Sequence, residues 1–381
     1  ALNFLSFFFQ WKYISMTTED YFEKIYVLLI IFITGVVVGW SFIFIFLKQM
    51  GYSISEILAF FAVVYFTYLL LSVIVRQLNA NRSIKISLIV RAAAFLLLIA
   101  FFSRLQIYLA AICVGIITLI YWIPFNIKTQ NATKKSESAY KSGLISIIAP
   151  MLTGVFAIAG AGFVEHFGYS MLFIAGAFIM ALAYFYVDRT GPTFEIKLSV
   201  REGVRSLGKT KPLFFLEGLW QGLIWFAIPV ITLFFTESVI IFGAFLAYLS
   251  IFSIAAILLA ARTSDKMENR RVFIIPIFLV TAGFIIVSYF TNDIVMWTFV
   301  NAGISFFSAM MAPFMGAVLK DKVEDTHNGV FGREILLNVG RLSACGVMAV
   351  AILLGDFKAS LIIAGASLIL YMVAVIRRRI Y

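Results

Sequence analysis

Glu334, Asn338, Arg341 and Cys345 are spaced by four, three and four residues, which places them on one face of a helix. They sit in an apolar stretch near 332–355. Arg341 falls about nine residues in, roughly 14 Å along the axis at 1.5 Å per residue. An ionisable group in hydrocarbon is costly unless a partner or water meets it, so this face is expected to look into the protein. Two readings of Arg341 stand open. It contacts an anionic group on a solute, or it closes an internal ion pair with Glu334 or an acid on another helix. Glu217, Trp220, Gln221 and Trp225 form a second polar group, at the start of the stretch 213–235. Glu217 reads as a carboxyl that takes up and releases a proton, or as an acid snorkelling near its helix start. Trp220 and Trp225 read as cavity aromatics or as interfacial anchors.

Weaker polar faces accompany these. Asn301, Ser305 and Ser308 share one face, and so do Tyr65, Tyr68 and Ser72. Pro124 follows Tyr121 and Trp122 and precedes Asn126, freeing a backbone carbonyl there. Gly35 and Gly39 are spaced for close helix packing beside Trp40. Packing and hydrogen bonding account for such faces as readily as solute contact does.

The elements that must hold these residues are membrane spans. The chain has 381 residues, 62% of them hydrophobic and 13% charged, with mean hydropathy +1.02. That much apolar surface needs lipid as solvent. Twelve apolar stretches are expected near 27–47, 55–75, 86–103, 106–125, 143–163, 170–187, 213–235, 239–261, 272–291, 293–318, 332–355 and 358–376. Six lie on each side of the longest polar interval, 188–212. The division is an N-terminal interfacial segment (1–20), a first six-helix bundle (21–188), a basic connector (189–211) and a second bundle (212–381). Within the first segment, residues 1–14 read as a helix lying on the membrane with Trp11 and Lys12 at headgroup level, and no cleavable signal peptide is expected.

Net charge is +11, yet no nucleic-acid partner is indicated, because the Lys and Arg lie in short loops between spans. With the N-terminus inside, twenty-five of the 30 fall in cytoplasmic segments and three in outer ones. That asymmetry places both termini in the cytoplasm. Cys113 and Cys345 lie in spans and read as small apolar residues. His166 and His327 have no ligand companions, so no metal is expected, and no phosphate-binding glycine loop occurs. Neither a cofactor nor an enzymatic activity is indicated.

Corresponding loops of the two halves carry a family resemblance. After the eighth span, Ala261, Asp265, Lys266, Arg270 and Arg271 resemble the loop motif of the major facilitator superfamily, with Ala261 in place of the leading glycine. After the second span Gln77, Asn81 and Arg82 form a degraded copy. Ala149, Pro150, Thr153 and Gly154 resemble that family's fifth-helix element, and Gly168, Tyr169 and Phe173 its 5–6 turn. The resemblance covers about residues 20–380. It implies an all-α membrane protein of twelve transmembrane helices in two pseudo-symmetric bundles, working by alternating access. Spans 1, 4, 7 and 10 would line the cavity, bringing Trp40, Trp122, Asn126 and Asn301 toward it. Span 3 would lie in the outer ring, with Arg91 reaching headgroups or a lipid phosphate. Asp265, with Asn81 in the weaker copy, would cap a neighbouring helix and latch the inner gate.

The implied function is secondary transport of a small amphipathic or anionic solute across the plasma (inner) membrane. It would be driven by protons, with efflux favoured over uptake. The partners are then solute, H+ and membrane lipid, with the chain a monomer. Two alternatives remain open: a non-transporting partner or scaffold subunit, and a lipid translocator.

Overall fold

The computed structural model describes residues 18–99, 103–133, 138–264, 270–323 and 325–378. The expected interfacial helix at 1–14, and Asp265 and Lys266, lie outside these residues.

The first half comprises α1 (Thr18–Trp40), α2 (Ile43–Gln49), α3 (Ile54–Ile74), β1 (Gln77–Asn79), α4 (Ala80–Ile99), α5 (Arg104–Ile120), α6 (Trp122–Asn131) and α7 (Ser138–Tyr186). The connector holds β2 (Glu195–Lys197) and the short α8 (Val200–Ser206). The second half comprises α9 (Lys211–Phe235), α10 (Val239–Ser264), α11 (Arg270–Tyr289), α12 (Ile294–Lys322), α13 (Thr326–Leu353) and α14 (Ala359–Arg377). Nine described segments are long and apolar enough to cross a membrane. One of them, which contains α7, turns at Gly168 (φ 77°, ψ 169°) and makes two crossings. With α4 and α11, twelve crossings result among the described residues.

Several boundaries shift from expectation for identifiable reasons. Span 1 is two helices, broken after Trp40. Span 4 breaks at Tyr121 and continues to Asn131, because Pro124 has no N–H to give the Ile120 carbonyl. α13 begins at Thr326, where Asp325 Oδ1 accepts from the Asn328 N–H at 3.0 Å. The expected start near 332 is therefore about six residues late.

The connector is structured rather than only a basic loop. Phe194, Ile196 and Leu198 alternate with Glu195 and Lys197, the period of a half-buried strand. β2 pairs antiparallel with β1, with Leu78 opposite Ile196. Asn79 and Gln77 both donate to the Glu195 carboxylate, holding its pKa below the usual carboxylate value. Lys128 is fully buried and donates to the carbonyls of Thr190 (3.1 Å) and Pro192 (3.2 Å). This lysine therefore clamps the connector.

These contacts correct the latch expected at Asn81. β1 ends at Asn79, so Asn79 is the cap of α4: its Oδ1 accepts from the Arg82 N–H at 3.1 Å. Asn81 donates through its side chain to the Gly191 carbonyl and through its backbone to Thr193 Oγ1. It binds the connector and not the other half. Arg270 and Arg271 are the first two residues of α11.

Glycines set the closest helix approaches. A Cβ on Gly35 would come within 2.5 Å of the Met180 side chain, and one on Gly39 within 2.5 Å of the Phe95 ring. Gly154 has only an ordinary contact with Ser250, and Pro150 produces no break in α7. The tighter crossing on that side is at Gly243 of α10, whose Cβ would meet the Ala157 carbonyl at 2.6 Å. In the second half Gly218 and Gly222 of α9 and Gly340 of α13 bring those two helices into backbone contact.

Candidate central cavity

A cavity of about 600 Å³ lies between the two halves. α1, α3, α4, α5, α6 and α7 contribute to it from the first half, and α9 and α13 from the second. Its size is that of a small-molecule site, ~300–1,000 Å³.

Of the α13 face read in the sequence, Glu334 and Arg341 line the cavity, whereas Asn338 and Cys345 do not. Glu334 and Asn338 are buried, Arg341 is half-buried, and Cys345 is buried one turn further on. Asn338 Nδ2 donates to the Glu334 carbonyl at 2.8 Å, and Arg341 donates to Asn338 Oδ1 (3.4 Å) and Gln221 Oε1 (3.3 Å). The guanidinium of Arg341 stacks on Trp225 at 4.9 Å. An internal Glu334–Arg341 pair is not formed. The partner of Glu334 is Arg333.

Arg333 is the residue sequence reasoning missed. Counted as a loop charge, it lies about two turns inside α13 because the helix starts at the Asp325 cap. Its Nη2 meets Glu217 Oε1 at 2.8 Å and its Nη1 meets Glu334 Oε1 at 3.1 Å. Glu217 is 2% exposed and six residues into α9, so the snorkelling reading is set aside. Gln221 Nε2 donates to the same carboxylate at 3.3 Å, while Glu217 Oε2 has no partner. From the first half, Asn126 Nδ2 donates to Glu334 Oε1 at 3.3 Å. A polar ladder thus runs from Asn126 through Glu334, Arg333, Glu217 and Gln221 to Arg341. Asn126, Arg333 and Glu334 also line a second cavity, of about 150 Å³, toward the connector. These three residues, at one end of the ladder, form with Ser146 the partition between the two chambers.

Across the cavity stands Arg91, another correction. It was expected to reach lipid headgroups from an outer helix. It is instead 4% exposed and lines the central cavity. Ser83, Ser87, Arg91 and Phe95 recur every four residues and are all buried, so this face of α4 turns inward. The close approach at Gly39 brings Trp40 beside it. The guanidinium lies 4.5 Å from the Trp40 ring and 5.1 Å from Phe95.

Of the remaining sequence candidates, Trp40, Trp122, Asn126, Glu217 and Gln221 line the cavity. Trp220 and Asn301 do not. Trp220 is 5% exposed in the core with its indole N–H unpartnered, and Asn301 is fully buried, donating to the Trp297 carbonyl at 2.8 Å. Tyr65 lines the cavity, whereas Tyr68 is buried behind it. Beyond the cavity on the side away from the connector, Phe226 stands edge-on to Phe44 (5.8 Å) and Phe61 (5.7 Å). Gln49 Nε2 donates there to the Glu237 carbonyl at 3.1 Å. The halves touch on both sides of the chamber. Among the described residues no group of acids, histidines or cysteines is arranged to hold a metal.

No family model matches the sequence, and no curated protein matches it. Solved structures do match it. The human organic anion transporter MFSD10 (TETRAN) superposes with a TM-score of 0.71 at 10% identity, covering 95% of this chain and 100% of that one. The E. coli fucose:proton symporter FucP gives 0.66 at 11% identity, covering 94% and 98%. A bacterial homologue of the iron transporter ferroportin, outward-facing with soaked iron, gives 0.66 at 13% identity, covering 93% and 98%. The chain has the major facilitator superfamily fold, that of a multi-pass membrane protein with twelve transmembrane helices in two six-helix bundles.

Proposed function

We propose that this chain is a divergent member of the major facilitator superfamily and a secondary transporter of a small organic anion. The solute occupies the central cavity, and the two halves rock around it. The observation that carries the reading is the charge of the cavity wall. Arg91, Arg333 and Arg341 face only two carboxylates, Glu217 and Glu334. Arg333 serves both acids, which leaves Arg341 on neutral amide oxygens and free to receive an anion.

The ladder gives the cycle a gate and a coupling group. Asn126 to Glu334 joins the halves where the partition separates cavity from connector. Parting that contact opens the chamber to the connector face, and parting Phe226 from Phe44 and Phe61 opens it to the other. Glu217, with one oxygen unpartnered, is the group placed to take up a proton, which would loosen Arg333 and let the partition move. The basic connector face is the cytoplasmic one, by the distribution of Lys and Arg. The solute of MFSD10, an organic anion, agrees with this chemistry.

The test is flux. Purified protein in liposomes, with an imposed pH gradient, should move a radiolabelled organic anion. A Glu217→Gln variant should exchange the solute without concentrating it. Failure of every anion to move under either gradient direction would contradict the reading.

A further inference from the structure

Arg91 is a charged side chain buried in a membrane span with no carboxylate paired to it among the described residues. Its Nε has no hydrogen-bond partner. Its contacts are the faces of Trp40 and Phe95, which attract a cation but do not neutralise it. A guanidinium so placed is costly unless something anionic reaches it. The opening available to it is the central cavity, on whose other wall Arg341 is also stacked on a tryptophan and also lacks a carboxylate partner. The two cations belong to different halves: Arg91 with Trp40 to the first, Arg341 with Trp225 to the second. The cavity they share is lined in part by apolar and aromatic side chains, Phe32, Phe61 and Trp122 among them.

We infer that Arg91 is a second solute-binding residue, and that the solute is a diacid: two anionic groups joined by a short apolar or aromatic body, one group on each arginine–tryptophan pair. This deepens the anion reading above and rests on it. A guanidinium presents a planar fork of donors that matches a carboxylate. Two such forks on opposite halves make the solute a bridge. A monoacid can satisfy one half only, whereas a diacid holds both.

The test is affinity of the full chain in nanodiscs for matched acids, hexanoate against adipate and benzoate against terephthalate. The second charge should tighten binding about 10- to 100-fold, the range for a hydrogen bond to a charged group. Arg91→Gln should bring each diacid down to the affinity of its monoacid. Arg341→Gln should weaken both. Arg91→Lys, which keeps the charge but not the fork, should fall between wild type and Arg91→Gln. Equal binding of mono- and diacids by the wild type overturns the second site, whatever the variants do. So does a diacid preference that survives in Arg91→Gln. If no acid binds at all, the anion reading falls and this site with it.

Discussion

Arg333→Ala is expected to cost about 3–5 kcal/mol of stability, the range for removing one member of a buried ion pair. The loss arises because Glu217 and Glu334 are left in a cavity wall without a counter-charge. Glu217 is held by Arg333 at 2.8 Å and its side chain is 3% exposed, so water screens it poorly. Arg333 itself is 21% exposed on the side chain, which places the effect toward the lower end of that range. Chemical denaturation in detergent measures it. The double variant Arg333→Met, Glu217→Gln should recover part of the loss, since only Glu334 is then left without a counter-charge. A single variant as stable as the wild type would show that the triad is not formed in the membrane.

Arg341→Ala should act in the opposite way, with binding lost and stability kept. The hydrogen bonds of Arg341 are long, 3.3 and 3.4 Å, and both acceptors are neutral amides. Removing them costs the fold little. An anion on the same guanidinium makes a charge-assisted contact worth about 1.5–3 kcal/mol, so affinity should fall roughly 10- to 100-fold. Isothermal titration with adipate, beside a thermal melt, separates the two quantities. A large drop in melting temperature with unchanged affinity would assign Arg341 to structure.

The contrast between these neighbours explains what the sequence could and could not show. The spacing of Glu334, Asn338 and Arg341 displays the inward face of α13 directly, because i, i+4 and i+7 fix a face whatever the boundaries. Which acid meets which base depends on the helix start, and hydropathy placed that start too late to count Arg333 as buried. The signal that corrects it is local: Asp325 three residues before Asn328, a cap ahead of the apolar run. For Arg91, hydropathy marks a span but does not say which side faces lipid. The inward side shows only as the four-residue recurrence of Ser83, Ser87 and Arg91, easily passed over in so apolar a stretch. Trp220 and Trp225 are both cavity candidates by type, and their helix packing decides between them. Residue type gave no warning that Asn301 would spend its amide on the carbonyl of Trp297. Strand β2, which pairs with β1, was legible as alternation around Glu195 and Lys197 but sat within a charged connector, where alternation is easily read as solvated loop. The twelve spans and the fold followed from apolar length and loop charge, which are cumulative signals and tolerate local error.

Transport by alternating access requires that the halves move, and this separates a transporter from a scaffold with the same fold. The most direct measurement is the distance between nitroxide labels at Met50 and Glu237, both exposed beside the contact of Gln49 with the Glu237 carbonyl. Cys113 and Cys345 are replaced first, and the protein is studied in nanodiscs with and without adipate. The account predicts two distances differing by about 5 Å or more, as rigid-body rocking gives, with populations that adipate shifts. A single distance, unchanged by any anion or by pH, would contradict it.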